Sequence, residues 1–438
     1  MSMLFNPATI SIVLLTVLCV KRVNVLLSII ISAIVAGILS GLNVKDVMDI
    51  FISGMGSNSE TALSYILLGT FAATMSHCGV ANAFASKITK IIHDNKYILL
   101  SLLILISMAS QNVIPIHIAF IPIIIPPLLP LFNKFKIDRR AVACVLSFGL
   151  KMPYITLPVG FGLIFQNLIA DNMVQNGAFI SRNEVWKYTF ILGIAMLVGL
   201  LFALFISYRS QRIYNEIPCN QNKFQNENYG NKYTLTCVIL AAVTTFVVQI
   251  ITRSLPLGAL VGLGIIFTTK VISKDNMDNL MNEGVYMMGY IAFVMLVAAG
   301  FAAVLKETGS IDVLVASVLS FLPNDVMLIS LIMLILGLFI TIGIGTSFGT
   351  IPILAVLFIP ICLKTGFSNG QIALLLAASA ALGDAGSPAS DTTLGPTSGL
   401  NADGQHNHIY DTCIPTFLHY NIPLIIFALL GIYLMSCL

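Results

Sequence analysis

Apolar runs of membrane-spanning length recur along the whole chain, at roughly 5–20, 24–42, 61–78, 97–132, 141–170, 186–208, 232–251, 255–272, 285–305, 325–363, 371–400 and 413–437. A helix needs about 20 such residues to cross the hydrocarbon core. Backbone in lipid must satisfy its own hydrogen bonds, so the pattern points to an all-α polytopic membrane protein. Composition agrees: 9% of the 438 residues are charged and 57% are hydrophobic, against about 25% charged in soluble domains. A net charge of +3 is too small for a nucleic-acid footprint. The eight cysteines stand singly, without CxxC spacing, and argue for neither disulfides nor a metal site.

Charge sets the orientation. Lys21 and Arg22 follow the first run instead of preceding it, so it reads as a retained helix with its N-terminus outside, not a signal peptide. The positive-inside rule places the basic loops around Lys87/Lys90/Lys96, Lys134/Lys136/Arg139/Arg140 and Arg209/Arg212/Lys223/Lys232 in the cytoplasm. For the first two to share a side, run 97–132 must enter and return. That makes it a hairpin, broken by SQNVIPIH (110–117), with its tip near Asn112. Runs 325–363 and 371–400 are broken too, by GIGTSFGTIP (343–352) and by GDAGSPASDTTLGPTSGLNADG (383–404).

The long polar linker 209–231 separates a first half, 1–208, from a second, 232–438. Gly54, Phe71, Ala72, Ala73 and Gly79 stand opposite Gly284, Phe301, Ala302, Ala303 and Gly309, every pair at one constant offset in numbering. At a slightly larger offset, SQNVIPI (110–116) stands opposite SFGTIPI (347–353). Each half then holds about five transmembrane helices plus a hairpin and a broken helix. An odd number of crossings turns the second half upside down, giving two inverted-topology repeats.

A break at membrane depth survives only inside protein or beside a water-filled cavity, and its free carbonyls and helix ends are ready ligands. The stretch 383–404 joins such a break to oxygen donors: Asp384, Ser387, Ser390, Asp391, Thr392 and Thr393. Oxygen donors suit a hard cation such as Na⁺, with Asp384 and Asp391 as its carboxylates. The other reading is a kinked helix end in an aqueous loop. GIGTSFGT (343–350) contains a Gly-x-Ser-x-Gly pattern, but a nucleophile elbow needs a strand–turn–helix. A hairpin tip offering Thr346, Ser347 and Thr350 fits the helical chain better, with Ser110, Gln111 and Asn112 at the matching tip. Packing of small residues between helices is the alternative for both tips. Lys151 lies in the first half's broken helix, SFGLKMPYITLPVG (147–160), at a place that the repeat sets opposite Asp384. A buried lysine needs a counter-charge. It is expected to pair with Asp384 or Asp391, to hold a substrate carboxylate, or to snorkel to an interface.

The run 383–423, above all the Ser-Pro-x-Ser-Asp-Thr-Thr element from Ser387 to Thr393, resembles the signature of the NhaC-type sodium/proton antiporter family. Within the ion-transporter superfamily it is similar to the branch described as amino-acid (histidine) permeases. GTSFGT (345–350) resembles the family's other hairpin element. The resemblance implies inverted repeats, an elevator-like carrier and coupling to Na⁺ or H⁺. It also implies Thr346, Ser347, Asp384, Ser387 and Asp391 as transport-site residues. One departure stands out: the first half's broken helix carries no carboxylate.

The chain is therefore expected to be a secondary transporter of the inner (cytoplasmic) membrane, not an enzyme, with Na⁺ or H⁺ as coupling ion and no cofactor. One function is exchange of Na⁺ for protons at a midplane site. The alternative is a Na⁺- or H⁺-coupled permease for an amino acid or another small carboxylate. The expected partners are the small-molecule or ion substrate and membrane lipid; a homodimer stays open.

Overall fold

The computed structural model describes residues 6–21, 23–78, 95–112, 121, 125–215, 232–252, 254–310, 313, 325–344, 346–388 and 390–437. These are helical almost throughout. In order, the helices are α1 (Pro7–Val20), α2 (Val25–Leu39), α3 (Val44–Met55), α4 (Ser59–His77), α5 (Lys96–Asn112), α6 (Leu129–Lys134), α7 (Arg139–Thr156), α8 (Phe161–Gln175) and α9 (Val185–Phe202). After the linker come α10 (Lys232–Thr252), α11 (Leu255–Thr268), α12 (Lys274–Glu307), α13 (Val326–Ile344), α14 (Ser347–Lys364), α15 (Asn369–Ala381), α16 (Asp391–Leu400) and α17 (Ile414–Cys437).

Helix starts follow local capping chemistry. Asn24 caps α2, Asp138 caps α7 and Ser390 caps α16, each side chain accepting a first-turn backbone N–H. Ser368 and Gln371 form a reciprocal capping box on α15. Among the described residues four helices are long and apolar enough to cross a membrane: Val185–Ser207, Met288–Glu307, Ser347–Lys364 and His408–Cys437. The pair α7 and α8 qualifies jointly as a broken span bent by 43°. With its many apolar helices and its exposed Leu, Ile, Val and Phe side chains, the chain is an all-helical, multi-span membrane protein.

Packing sorts the helices into two groups. In one, α12 lies along α4, α3 and α2, α11 lies against α4 and α10, and α1 lies against α2. In the other, α7 packs on α5, α9, α16 and α17, while α15 packs on α13, α14, α9 and α17. The groups meet chiefly where α14 lies against α12. The second group holds the most buried helices: nearly every residue of α7, α14 and α15 is inaccessible. The breaks sit in this buried group, where protein rather than lipid surrounds the freed backbone groups.

Two of the expected breaks are narrower than the sequence suggests. α13 runs to Ile344 and α14 restarts at Ser347, so of the described residues within 343–352 only Thr346 is outside a helix. In the stretch 383–404 residues 391–400 are helix despite Pro396, so the chain is unwound only between α15 and α16 and again from Asn401. Ser390 explains the restart, since its side chain caps the Thr392 N–H. Ser110, Gln111 and Asn112, the expected first tip, form the end of α5, and the rest of that break, 113–117, lies outside the described residues.

Candidate substrate and ion site

The segment between α15 and α16 turns on two glycines. Gly383 stands at φ +76° and Gly386 at φ +110°, backbone that side-chain-bearing residues rarely adopt. Both are also crowded: a Cβ on Gly383 would lie 2.7 Å from the Ile342 nitrogen, and one on Gly386 would lie 2.6 Å from Phe417 Cβ. Between them the chain presents Asp384 with 7% of its surface exposed. Asn421 of α17 braces the turn from both ends, accepting from the Gly383 N–H at 3.3 Å and donating to the Ala385 carbonyl at 3.0 Å.

Lys151, on α7 and 1% exposed, meets Asp384 in an ion pair between Nζ and Oδ2. Snorkelling is thereby excluded: the ammonium points into the protein, over the Tyr154 ring at 4.7 Å from its centroid. Nζ also donates to Ser347 Oγ at 2.8 Å, and that hydroxyl donates to Asp384 Oδ2 at 2.5 Å. On the other carboxylate oxygen, Oδ1, Ser390 Oγ donates. The Thr392 hydroxyl has one proton for two acceptors in reach, Ser390 Oγ at 2.9 Å and the Asp384 carbonyl at 3.2 Å. Four elements therefore converge on one carboxylate: α7, the N-terminus of α14, the α15–α16 turn and the N-terminus of α16. Two helix N-termini aim their positive ends at the same place.

The remaining sequence candidates divide. Ser387 Oγ donates to the Ile342 carbonyl at 3.3 Å and ties the turn to α13. Thr393 Oγ1 closes the turn on the Ser387 carbonyl at 2.5 Å. Thr350 and Ser110 do not join the cluster through the bonds they make, donating instead to the carbonyls of Thr346 and Ser107. Thr346 is the N-cap residue of α14 and makes no side-chain cap bond. Asp391 opens α16 and Asn112 closes α5, but their side chains lie outside the described residues. Among the described residues no three His, Cys, Asp or Glu side chains gather as a metal site.

The structure adds residues the sequence did not single out. Ser147, one turn before Lys151, donates to the Thr392 carbonyl at 2.7 Å and docks α16 on α7. Tyr65, Phe161, Phe348, Tyr154 and Phe165 form a chain of ring contacts, with centroids from 4.8 to 6.3 Å apart, leading away from Lys151. Gln166 on α8 is fully buried, and neither of its amide atoms has a hydrogen-bond partner among the described residues. Asn421 was readable in principle as an amide inside an apolar helix. The aromatic chain was not, because aromatic residues in apolar runs are ordinarily packing.

At the end of the molecule where the basic loops gather, a second charged cluster closes the fold. Arg139 is fully buried, forks onto both oxygens of Asp403 at 2.6 Å and caps α16 at the Leu400 carbonyl. Arg212, from the start of the linker, reaches Asp411 at 2.9 Å. Burial, aided by the Arg139 and Arg212 cations and opposed by Asp411, pushes the His406 imidazole down to about 4.

Residues 145–432, which hold Lys151, Ser347, Asp384 and Ser390, match the model of the Na⁺/H⁺ antiporter family, and residues 6–92 match a second Na⁺-H⁺ antiporter family model. The chain belongs to the Na⁺/H⁺ antiporter family. This family member is 45% identical to the uncharacterized membrane protein VP2115 of Vibrio parahaemolyticus, across 97% of the chain and 98% of that relative. It is 41% identical to the "Putative amino acid transporter YuiF" of Bacillus subtilis, with the same coverages. Its fold is like that of the YdaH transporter of Alcanivorax borkumensis (TM-score 0.59, 11% identity, 90% of this chain and 89% of that one). It is also like MtrF of Neisseria gonorrhoeae (TM-score 0.57, 14% identity, 87% and 81%). The antiporter-family chain is a secondary transporter and not an enzyme, and its substrate is a small molecule or an ion.

Proposed function

We propose that the chain is a cation-coupled carrier of an amino acid, with the Lys151–Asp384 pair as the site that the substrate opens. The observation that carries this reading is the pairing itself. A buried ammonium and a buried carboxylate neutralise each other at the broken helices, which spares the empty site the cost of isolated charges. A zwitterion can replace that internal pair without changing the charge count. Its carboxylate takes Lys151, and its ammonium takes Asp384 with the hydroxyls of Ser347 and Ser390. The Tyr154 ring under Lys151 and the Phe348 ring beside it offer surroundings for a side chain. The similarity to a relative named as an amino acid transporter points the same way.

Two inverted repeats would make such a site open to one side at a time, and the element boundaries support them. α2 and α11 start at Val25 and Leu255, α5 and α13 at Lys96 and Val326, α7 and α15 at Arg139 and Asn369, α8 and α16 at Phe161 and Asp391. All four pairs keep the same offset in numbering as the glycine and alanine landmarks. The contact between α3/α4 and α12 has the reciprocal form of a two-fold axis. Gly54 lies against Gly300 and Gly284 against Thr70, two contacts exchanged by that offset. The order of these contacts is that of antiparallel helices, and inverted repeats would put such an axis in the membrane plane.

Exchange of Na⁺ for protons is the second reading, favoured by the family match. Na⁺ on Asp384 would displace the Lys151 ammonium and release its proton. Proteoliposomes separate the two. Under an imposed Na⁺ or H⁺ gradient, uptake of radiolabelled amino acids above the gradient-free control is the expected result. A Na⁺-driven pH change that needs no amino acid, with no uptake of any of the twenty, would replace the first reading by the second.

A further inference from the structure

A cavity of about 330 Å³ opens at the end where the basic loops gather, between the start of α5, the α6–α7 turn and residues 204–211, which follow α9. Lys96, Lys136 and Arg209 line it together with Leu100, Leu204 and Phe205. We propose that it seats an anionic phospholipid of the surrounding bilayer, the phosphate among the three cations and an acyl chain along the apolar wall.

Three observations carry this. The first is charge: none of the three cations forms an ion pair among the described residues. The acid in the wall, Asp138, is already neutralised, because Arg140 holds it through Nε at 3.1 Å and Nη2 at 2.6 Å and Arg212 stands 3.9 Å away. The second is position. Lys96 and Tyr97 open a helix whose exposed residues continue as Ile98 and Leu105, and α9 and the residues that follow it expose Phe202 and Phe205. The cavity therefore opens sideways onto surface that lipid covers, at the depth where headgroups lie. A basic pocket between membrane helices beside apolar surface is the chemistry that recognises anionic headgroups.

The third is backbone strain at Lys136, which stands at φ +49°. A left-handed conformation is unfavourable for a side-chain-bearing residue. The corresponding turn of the second half, between α14 and α15, places a glycine there: Gly366, at φ +79°. The fold thus accepts glycine at this turn, and Lys136 occupies it with a cation directed at the cavity's rim. Its carbonyl accepts the Arg212 N–H at 3.1 Å, so the same residue joins the linker to the α6–α7 turn. An occupied cavity would brace the N-terminus of α7, the helix that carries Lys151.

The test uses the purified full chain in detergent and follows Tm as phosphatidylglycerol, phosphatidylcholine of the same acyl chains, or inorganic phosphate is added. Phosphatidylglycerol should raise Tm by several degrees by binding the folded state, and the other two should not. The variant Lys96→Gln/Lys136→Gly/Arg209→Gln should have a lipid-free Tm no lower than the wild type's, since glycine relieves the strain at 136, and should lose the shift. Each single substitution should weaken the apparent affinity about fivefold, which preserves the test should the triple variant fold poorly. An equal shift with phosphatidylcholine, an equal shift with inorganic phosphate, or a full phosphatidylglycerol shift in the singly substituted proteins would each overturn the proposal. None of these outcomes depends on what the carrier transports.

Discussion

At the scale of single residues, Asp384 is the most heavily engaged group in the buried site. It accepts from Lys151, Ser347 and Ser390 through its side chain, and its carbonyl is in reach of the Thr392 hydroxyl. Removing one member of a buried ion pair leaves the other uncompensated, at roughly 3–5 kcal/mol, whereas replacing both by neutral groups is often close to neutral. Asp384→Asn and Lys151→Met should therefore each lower Tm in detergent by several degrees, and the double variant should recover most of the loss while remaining inactive in transport. Additive losses in the double variant would show that the two residues do not stabilise each other. The repeat spacing and the need of a buried lysine for a counter-charge made this pair legible in the sequence. The sequence left open whether Asp384 or Asp391 was the partner, because helical register across an unwound turn cannot be read from spacing. Ser147, Asn421 and Gln166 escaped for a related reason: one polar residue in an apolar run reveals neither its direction nor its neighbour.

At the scale of elements, the breaks were visible as glycine, proline and hydroxyl residues inside apolar runs, but their extent was not. Ser390 restarts a helix just after Pro388, an outcome set by one capping bond that composition averages away. The turn holding Asp384 depends on backbone only glycine adopts easily, and the energetic consequence is graded. Gly383→Ala combines a positive φ with a clash 2.7 Å from backbone, and Gly404→Ala has a positive φ of +75° with nothing within 4 Å. The first should cost more than about 2 kcal/mol and the second about 1 kcal/mol. Thermal melts of the two variants should therefore separate, with Gly383→Ala also slowing transport. Equal Tm values would mean that the turn is not held as described.

At the scale of the whole molecule, the helical membrane class follows from hydropathy, and the recurrence of landmarks pointed to two related halves. The interlocking of the broken segments required three dimensions. The proposed inverted repeats make a sidedness prediction. Lys136 and Gly366 are both exposed and occupy corresponding turns of the two halves, so they should face opposite sides of the membrane. With single cysteines at each position in an otherwise cysteine-free chain, an impermeant maleimide added to intact cells should label position 366, and position 136 only after permeabilisation. Labelling of both from one side would remove the inverted repeats. Beneath this lies the claim that the substrate's ammonium replaces Lys151 on Asp384 where the broken helices meet. The most direct measurement is gradient-driven uptake of radiolabelled amino acids in proteoliposomes of the wild-type chain and of the Asp384→Asn and Lys151→Met variants, reconstituted to equal amounts of folded protein. The account predicts uptake by the wild type and a loss of at least about a hundredfold in both variants, the cost of a missing charge contact of about 3 kcal/mol. Wild-type rates in either variant would contradict it.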